Sequence, residues 1–131
     1  MSSINKLVNI LRQKGVLKSE NITKAIYAVD RIDFVSADLA DMAYEDDALP
    51  IGEGQTISQP FTVVFMLELL DVKPGQKIMD VGYGSGWQST LLSYLVGEKG
   101  KICAFEIVPE LCEIGRENVR KYGELYSRVK F

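Results

Sequence analysis

A glycine-rich stretch, Asp80-Val81-Gly82-Tyr83-Gly84-Ser85-Gly86, has the residue types and spacing to bind a small molecule. Glycines permit positive φ angles and leave the backbone bare, so a ligand can lie directly against it. A predicted helix follows, and the unpaired N–H groups of its first turn point to the same place. The glycine loop, defined here as residues 82–86, is therefore a predicted ligand site. The alternative is a strand-to-helix turn whose glycines serve backbone geometry alone.

The glycine spacing argues against two common nucleotide sites. The dinucleotide fingerprint has glycines at its first, third and sixth positions, which here are Gly82, Gly84 and Trp87. The sixth-position glycine serves a close helix–strand contact that an indole would obstruct. A nicotinamide or flavin dinucleotide is therefore disfavoured. A P-loop is disfavoured as well, because no Lys-Ser or Lys-Thr pair follows.

A carboxylate after the second predicted strand completes the candidate ligand site. Glu106 follows the loop by 20 residues, and the carboxyl ends of neighbouring parallel strands form one crevice. There it could accept hydrogen bonds from both hydroxyls of a ribose. A glycine loop and a ribose-binding acid without phosphate-binding groups indicate S-adenosylmethionine. Asp80 could hold the ammonium group of this ligand directly or through water. The alternative for Glu106 is a solvated strand end.

Composition excludes several other chemistries. The chain has 131 residues, 47% apolar and 25% charged, and no histidine, which rules out a Ser-His-Asp triad and His-ligated zinc. The two cysteines lack metal-site spacing, so we expect no metal and no disulfide scaffold. A net charge of −3 argues against nucleic acid. The N-terminal residues lack a long apolar run, so we expect no membrane partner and a cytoplasmic location.

The pattern of apolar residues and turns predicts the elements that position the loop. Two amphipathic helices near residues 4–14 and 20–29 come first, followed by an ordered acidic loop over residues 41–54. Pro60 begins a helix to about Leu70, with Val63, Val64, Leu67 and Leu70 inward. Strands at 77–81, 101–106 and 128–131 alternate with helices, which predicts an α/β fold with a βαβαβ half of a parallel sheet. Its expected strand order is 3-2-1. We expect a single domain (1–131), made of a helical and substrate-loop region (1–72) and a cofactor-binding half (73–131).

The sequence resembles the protein-L-isoaspartate O-methyltransferases. The resemblance rests on "VDRIDFV" (29–35), "AYEDDALPIGEGQTISQP" (43–60), "DVGYGSGWQ" (80–88) and "FEIVPEL" (105–111), which stand in the family's order. It implies a Rossmann-like methyltransferase fold and methyl transfer from S-adenosylmethionine to the free carboxylate of L-isoaspartyl residues in damaged proteins. The expected cofactor-binding residues are Asp80, Gly82, Tyr83, Gly84, Ser85, Gly86, Glu106 and Ile107.

In the family, the segment matching Thr56, Ile57 and Ser58 lies over the cofactor's sulfonium and receives the damaged residue. We call residues 56–58 the acceptor segment. An isoaspartyl carboxylate with a pKa of about 4 is already ionised at neutral pH, so no general base is needed. Alignment of the reacting atoms and exclusion of water can supply roughly 7–11 kcal/mol. Ser58 is the expected catalytic residue, orienting the acceptor, and Thr56 and Ile57 shape the pocket. The alternative makes Ser58 only the N-cap of the next helix.

The sequence departs from the family at Tyr83, usually threonine, at Trp87, usually tyrosine, and at Ser36, usually proline. Family members also continue beyond the third strand, so we expect either a reduced form of such an enzyme or a fragment of one. Two alternatives remain: a methyltransferase with another acceptor, and a non-catalytic binding or assembly module. The first strand "KIMDV" (77–81) would be an apolar edge, which predicts a homo-oligomer.

Overall fold

The structure, a computed structural model, describes residues 3–131. Short 3-10 helices lie at Arg31–Phe34 and Ala37–Met42. The other elements, in chain order, are α1 (Ile4–Gln13), α2 (Glu20–Ala28), β1 (Leu49–Gly52), β2 (Gln55–Ile57), α3 (Pro60–Leu70), β3 (Lys77–Val81), α4 (Trp87–Val96), β4 (Lys101–Phe105), α5 (Pro109–Arg120), α6 (Glu124–Ser127) and β5 (Val129–Lys130). No helix within these described residues is both long enough and apolar enough to span a membrane.

Strands β3, β4 and β5 form a parallel sheet in that spatial order. Lys77 pairs with Lys101 and Val81 with Phe105, so β3 and β4 end level with each other. Helix α4 connects β3 to β4, and α5 and α6 connect β4 to β5. Strands β3, β4 and β5 are the first, second and third predicted strands, and the second lies between the other two. The predicted α/β class and the predicted 3-2-1 strand order are therefore confirmed. The carboxyl ends of β3 and β4 therefore carry the glycine loop and Glu106 side by side.

One hydrophobic core joins the N-terminal helices to the sheet region. Its members are all buried apolar side chains, and they include Leu7, Leu11 and Ile26 from α1 and α2 together with Leu91 and Val96 from α4. Apolar residues recur at helical spacing in α1 and α2, so each helix has one apolar face, and this face is buried in the core. Helix α2 packs against α4, so the N-terminal region lies beside the helix that leaves the glycine loop.

The acidic segment 41–54 was expected to be a loop throughout, but its end forms the first strand and the turn of a β-hairpin. Strands β1 and β2 pair antiparallel, with Leu49 opposite Ile57, and both of these side chains are buried. The turn between the strands contains Glu53 and Gly54 at positive φ angles of 54° and 69°. Strands of three and four residues are too short to show an alternating pattern, so the sequence does not reveal them. The hairpin presents the acceptor segment.

Helix α3 begins at Pro60 and ends at Leu70, as predicted, but it buries a narrower face than expected. Val63, Val64 and Leu67 are buried, whereas Leu70 is 52% exposed and Leu69 is 70% exposed. The prediction that Leu70 faces inward is therefore wrong. The helix is apolar on nearly all sides, so apolar periodicity could not identify the buried face.

Ser19 occupies the N-cap position of α2, but its hydroxyl does not cap that helix. The hydroxyl instead donates to Glu68 Oε1 on α3 at 2.5 Å. Glu68 Oε2 accepts the backbone N–H groups of Lys18 and Ser19 at 2.7 and 2.8 Å. Burial is the largest single effect and raises the pKa of Glu68, but these three hydrogen bonds and the charge of Lys18 together outweigh it, so the pKa is lowered. The start of α2 is thus fixed by a carboxylate that lies 49 residues further along the chain.

Tyr122, just after α5, ties the end of that helix to the first 3-10 helix. Its hydroxyl accepts the backbone N–H of Asp30 at 3.0 Å and donates to Asp33 Oδ2 at 2.5 Å. Its ring stacks on Phe34 with 5.6 Å between centroids. Burial and the Asp33 bond raise the pKa of Tyr122. The tyrosine therefore stays a neutral hydrogen-bonding group and holds α5 against the N-terminal region.

Candidate active site

The glycine loop leaves β3 through three residues at positive φ. Gly82, Gly84 and Gly86 have φ angles of 78°, 49° and 88°, which side chains other than glycine seldom adopt. The backbone N–H groups of Gly82 and Tyr83 donate to the Phe105 carbonyl at 2.7 and 3.1 Å, so the loop is anchored to the end of β4. Gly86 is the N-cap of α4, which leaves the first N–H groups of that helix directed toward the loop.

Glu106 faces the glycine loop, where the sheet geometry predicts it. Its Oε1 accepts the Gly84 backbone N–H at 2.9 Å. Its Oε2 accepts the N–H groups of Ile107 and Val108 at 2.9 and 3.1 Å. A carboxylate has about four lone-pair positions, so acceptor capacity for a ligand hydroxyl is left. Accepting both ribose hydroxyls would need one of these backbone bonds to open.

Asp80 lies beneath the loop and is 3% exposed. Its Oδ2 accepts the Ser89 hydroxyl at 2.5 Å and its Oδ1 accepts the Gln88 amide at 3.0 Å. Burial raises the pKa of Asp80; these two hydrogen bonds oppose the shift, and the nearby charge of Glu106 adds to it. Both donors come from the first turn of α4, so this carboxylate is held next to the loop by the helix that follows it.

A cavity of about 200 Å³ separates the acceptor segment from the glycine loop. One wall carries Thr56, Ile57 and Ser58, and the other carries the loop residues from Gly82 to Ser85. Val63, Met66, Val81, Trp87 and Gln88 complete the lining. The structure thus brings two segments that are distant in the sequence to one cavity. Asp80, Gly86, Glu106 and Ile107 are not lining residues of this cavity; Asp80 contacts it through Gln88, and Glu106 through Gly84.

Ser58 is exposed at the cavity, and within residues 3–131 its hydroxyl makes no hydrogen bond. Gln59 occupies the N-cap position of α3, and Asp46 Oδ1 accepts the Phe61 backbone N–H at 2.8 Å. Asp46 also forms an ion pair with Lys14. The alternative that makes Ser58 the helix cap is therefore wrong. Asp46 fills that role, and the Ser58 hydroxyl is available to a ligand.

Tyr83 borders the cavity, but its phenol ring lies on the side of the loop that faces α5. The hydroxyl donates to the Cys112 carbonyl at 3.0 Å, and the ring packs edge-on against Phe131 at 5.1 Å. The residue is 5% exposed, and burial raises its pKa to about 12. The tyrosine at this position thus extends away from the cavity, and it braces the loop against α5.

Gly115 is a site residue that the sequence analysis missed. A Cβ there would lie 2.4 Å from Tyr83 Cε1 and 2.5 Å from the Gly84 carbonyl oxygen. At Gly86, a Cβ would lie 2.6 Å from Val119 Cγ2. The close helix packing that the dinucleotide fingerprint obtains from its last glycine is here obtained between the loop and α5. The available signal was a glycine in a helix interior, which costs about 1 kcal/mol relative to alanine.

These features define a class of protein: a parallel sheet whose first strand ends in a glycine loop, with an acid after the second strand, has the Rossmann-like methyltransferase fold. A Plasmodium falciparum structure, described as a protein-L-isoaspartate O-methyltransferase in complex with S-adenosyl-L-homocysteine, superposes with a TM-score of 0.88, at 24% identity over 99% of this chain and 62% of that one. A second protein-L-isoaspartate O-methyltransferase structure gives a TM-score of 0.83, at 32% identity over 98% of this chain and 41% of that one. Both likenesses confirm the predicted fold.

The family model for Protein-L-isoaspartate(D-aspartate) O-methyltransferase (PCMT) matches residues 2–131, and the chain belongs to this family. The Protein-L-isoaspartate O-methyltransferase of Aeropyrum pernix is 49% identical over 90% of this chain and 45% of its own length. That of Methanopyrus kandleri is 43% identical over 90% of this chain and 52% of its own length. The resemblance drawn from the sequence motifs is confirmed. The chain spans about half the length of these curated relatives.

Proposed function

We propose that this chain binds S-adenosylmethionine and directs its methyl group to the free carboxylate of L-isoaspartyl residues in damaged proteins. The observation that carries the proposal is the cavity of about 200 Å³ with the acceptor segment on one wall and the glycine loop on the other. A ligand in the loop and a carboxylate at Ser58 would share this space. Family membership supports the same reaction.

The residues around the loop suit a nucleoside with an amino-acid tail. Glu106 retains acceptor capacity toward a ribose, and Asp80 supplies negative charge beside the cavity for an ammonium group. Ile107 is 91% exposed next to Glu106 and offers an apolar surface to a base. Gly82, Gly84, Ser85 and Gly86 bring the main chain close to the ligand, and Tyr83 holds their loop against α5. When bound, the cofactor supplies an electrophilic methyl group.

On the acceptor side, the chain positions a nucleophile rather than activating one. The isoaspartyl carboxylate is ionised at neutral pH, so no proton has to be removed before methyl transfer. The unengaged Ser58 hydroxyl can donate a hydrogen bond to one carboxylate oxygen and leave the other free to attack. Buried Ile57 and Val63 beside it reduce access of water to the reacting atoms.

The test compares two synthetic peptides that differ only in one isoaspartyl or aspartyl residue, each incubated with the chain and methyl-labelled S-adenosylmethionine. We expect label in the isoaspartyl peptide alone. Equal labelling of both peptides would assign the chain to a different acceptor. Cofactor binding by calorimetry without any labelling would support the non-catalytic binding module, and absence of binding would contradict the proposal as a whole.

We also propose self-association through the apolar face beside β3, together with a cytoplasmic location. Between α3 and β3 lies a groove of about 430 Å³ lined by Met66, Leu69, Leu70 and Met79 among others. In the described part of the chain, β3 has a partner strand on one side only. A second copy offers the same edge, and antiparallel pairing centred on Met79 would satisfy both chains at once. Two cysteines without a disulfide in residues 3–131 support the location.

The oligomer is tested by light scattering over a dilution series, with Leu69→Glu as the disrupting variant and Glu98→Lys, a charge change on the exposed turn after α4, as the control. We expect the parent and the control to associate and Leu69→Glu to be monomeric. A parent that is monomeric at all concentrations would contradict self-association.

A further inference from the structure

Arg31 is a buried cation that joins the loop before the β-hairpin to the acceptor segment. Its side chain is 1% exposed. Nη1 donates to the carbonyls of Ala43 and Glu45 at 2.9 and 3.2 Å, and Nη2 donates to those of Asp47 and Ser58 at 2.8 and 3.1 Å. One planar group thus holds the loop before the β-hairpin and the residue after it. The position of the Ser58 main chain depends directly on this guanidinium.

The same guanidinium also contacts the cofactor side of the cavity. Its carbon lies 5.3 Å from the centroid of the Trp87 ring, within the range of a cation–π interaction. Trp87 is the first residue of α4, directly after the glycine loop, and it lines the cavity. Its Nε1 donates to the Val29 carbonyl at 3.4 Å, which fixes the ring beside Arg31. Arg31 therefore bridges the two walls between which methyl transfer is proposed to occur.

The charge on this bridge persists at neutral pH. Burial lowers the pKa of Arg31 to about 10, against the opposing charges of Asp46 and Asp47. Its Nε is buried without a hydrogen-bond partner among residues 3–131. Burying a cation with one donor unsatisfied is costly, and an apolar residue buried at the same position would not carry this cost. The gain is geometric, because four carbonyls from two segments are held by one rigid fork.

We propose that Arg31 is a positioning residue for methyl transfer: it sets the distance between the acceptor segment and the glycine loop. The inference rests on the proposed function for its kinetic consequence, but its structural core does not. A small displacement of a positioned nucleophile can cost about 100-fold in rate. Lysine keeps the charge, yet its single nitrogen cannot reproduce the planar fork that reaches four carbonyls.

The kinetic test compares Arg31→Lys with Arg12→Lys, an identical exchange on the exposed face of α1. For Arg31→Lys we expect turnover of an isoaspartyl peptide to fall by about tenfold or more and KM for that peptide to rise, because the acceptor wall is displaced. Affinity for S-adenosylhomocysteine should stay within about threefold, since the loop's own contacts to Phe105 and Glu106 remain. Equal loss of cofactor affinity and turnover would indicate a general structural role and overturn the proposal.

A second measurement uses the parent chain alone and does not require activity. With nitrogen-labelled arginine, NMR should show hindered, separately resolved Nη signals for Arg31, because both nitrogens are held by carbonyls. Arg12 should show the averaged signals of a freely rotating guanidinium. Averaged signals at Arg31 would overturn the proposal even if the enzyme is active. Hindered signals with a parent that transfers no methyl group would support the bridge while contradicting the proposed function.

Discussion

Glu106 Oε1 accepts the backbone N–H of Gly84 at 2.9 Å, so the acid after β4 holds the loop after β3. The same side chain accepts the two N–H groups that begin the approach to α5. One carboxylate thus organises the loop and remains the candidate partner of a ribose. Its removal is expected to affect ligand binding through both roles.

Glu106→Ala should weaken S-adenosylmethionine binding by roughly 1.5–3 kcal/mol, the usual contribution of a hydrogen bond to a charged group. Isothermal titration calorimetry on parent and variant measures this difference. Glu110→Ala, an exposed acid in the first turn of α5, is the matched control and should bind like the parent. Equal affinity of the parent and Glu106→Ala would remove Glu106 from the cofactor site.

Ser58→Ala should lower the rate of methyl transfer by about tenfold or more while leaving cofactor affinity nearly unchanged, because the hydroxyl orients only the nucleophile. The hydroxyl has no structural partner in residues 3–131, so thermal stability should not change either. Initial rates with an isoaspartyl peptide provide the measurement, and Ser36→Ala, an exposed serine with no capping bond, is the control. Unchanged turnover would show that Ser58 does not orient the acceptor.

Gly115→Ala should destabilise the fold, although the same change in an open helix would stabilise it by about 0.5–1 kcal/mol. The new Cβ would stand 2.4 Å from Tyr83 Cε1 and 2.5 Å from the Gly84 carbonyl oxygen, so the loop has to shift. We expect a loss of about 1–3 kcal/mol in the free energy of unfolding, and weaker cofactor binding. Urea unfolding tests this against Glu113→Ala on the exposed face of the same helix. A stability gain in Gly115→Ala would contradict the close packing described here.

Asp80→Asn should change how stability depends on pH. Burial raises the pKa of Asp80 above its ordinary value of 3.8. A group whose pKa is raised in the folded state stabilises the fold at pH values below its ordinary pKa. This stabilisation is lost as the pH rises through the folded-state pKa. The free energy of unfolding of Asp80→Asn, minus that of the parent, should therefore increase with pH across that window.

Urea titrations between about pH 3 and about pH 7 would measure this difference, with Asp41→Asn reporting the effect of removing an exposed charge. A difference that falls as pH rises would show that Asp80 is stabilised in its charged form. The same variant should bind S-adenosylmethionine more weakly, because the negative charge offered to the ammonium group is gone.

Local sequence signals predicted the parts of the site that depend on neighbouring residues. Pro60 marks the start of α3, and alternating strands and helices place Glu106 beside Gly84 because parallel strands end at one edge. These features follow from periodicity and strand topology, which a single sequence carries. The βαβαβ half, its strand order and the facing of loop and acid were therefore accessible.

The missed parts depend on contacts between distant residues. Asp46 caps α3 from 15 residues upstream, and Arg31 reaches Ser58 across 27 residues. An arginine is ordinarily exposed, so composition alone gives no reason to bury Arg31. The hairpin was missed because its strands are too short for a pattern, and Leu70 because α3 is apolar on nearly every side.

The contact between Tyr122 and Asp30 spans 92 residues of chain and has a consequence for biosynthesis. During translation, the helices α1 and α2 leave the ribosome long before Tyr122 has been joined to the chain. The N–H of Asp30 therefore lacks the Tyr122 hydroxyl, and the first 3-10 helix lacks its partner, until β3, α4, β4 and α5 have been made. Closing so long a loop also has a large entropic cost, which slows folding. The strands β3 and β4 and the helices α4 and α5 are thus all synthesised before this contact can hold the end of α5 against the N-terminal region.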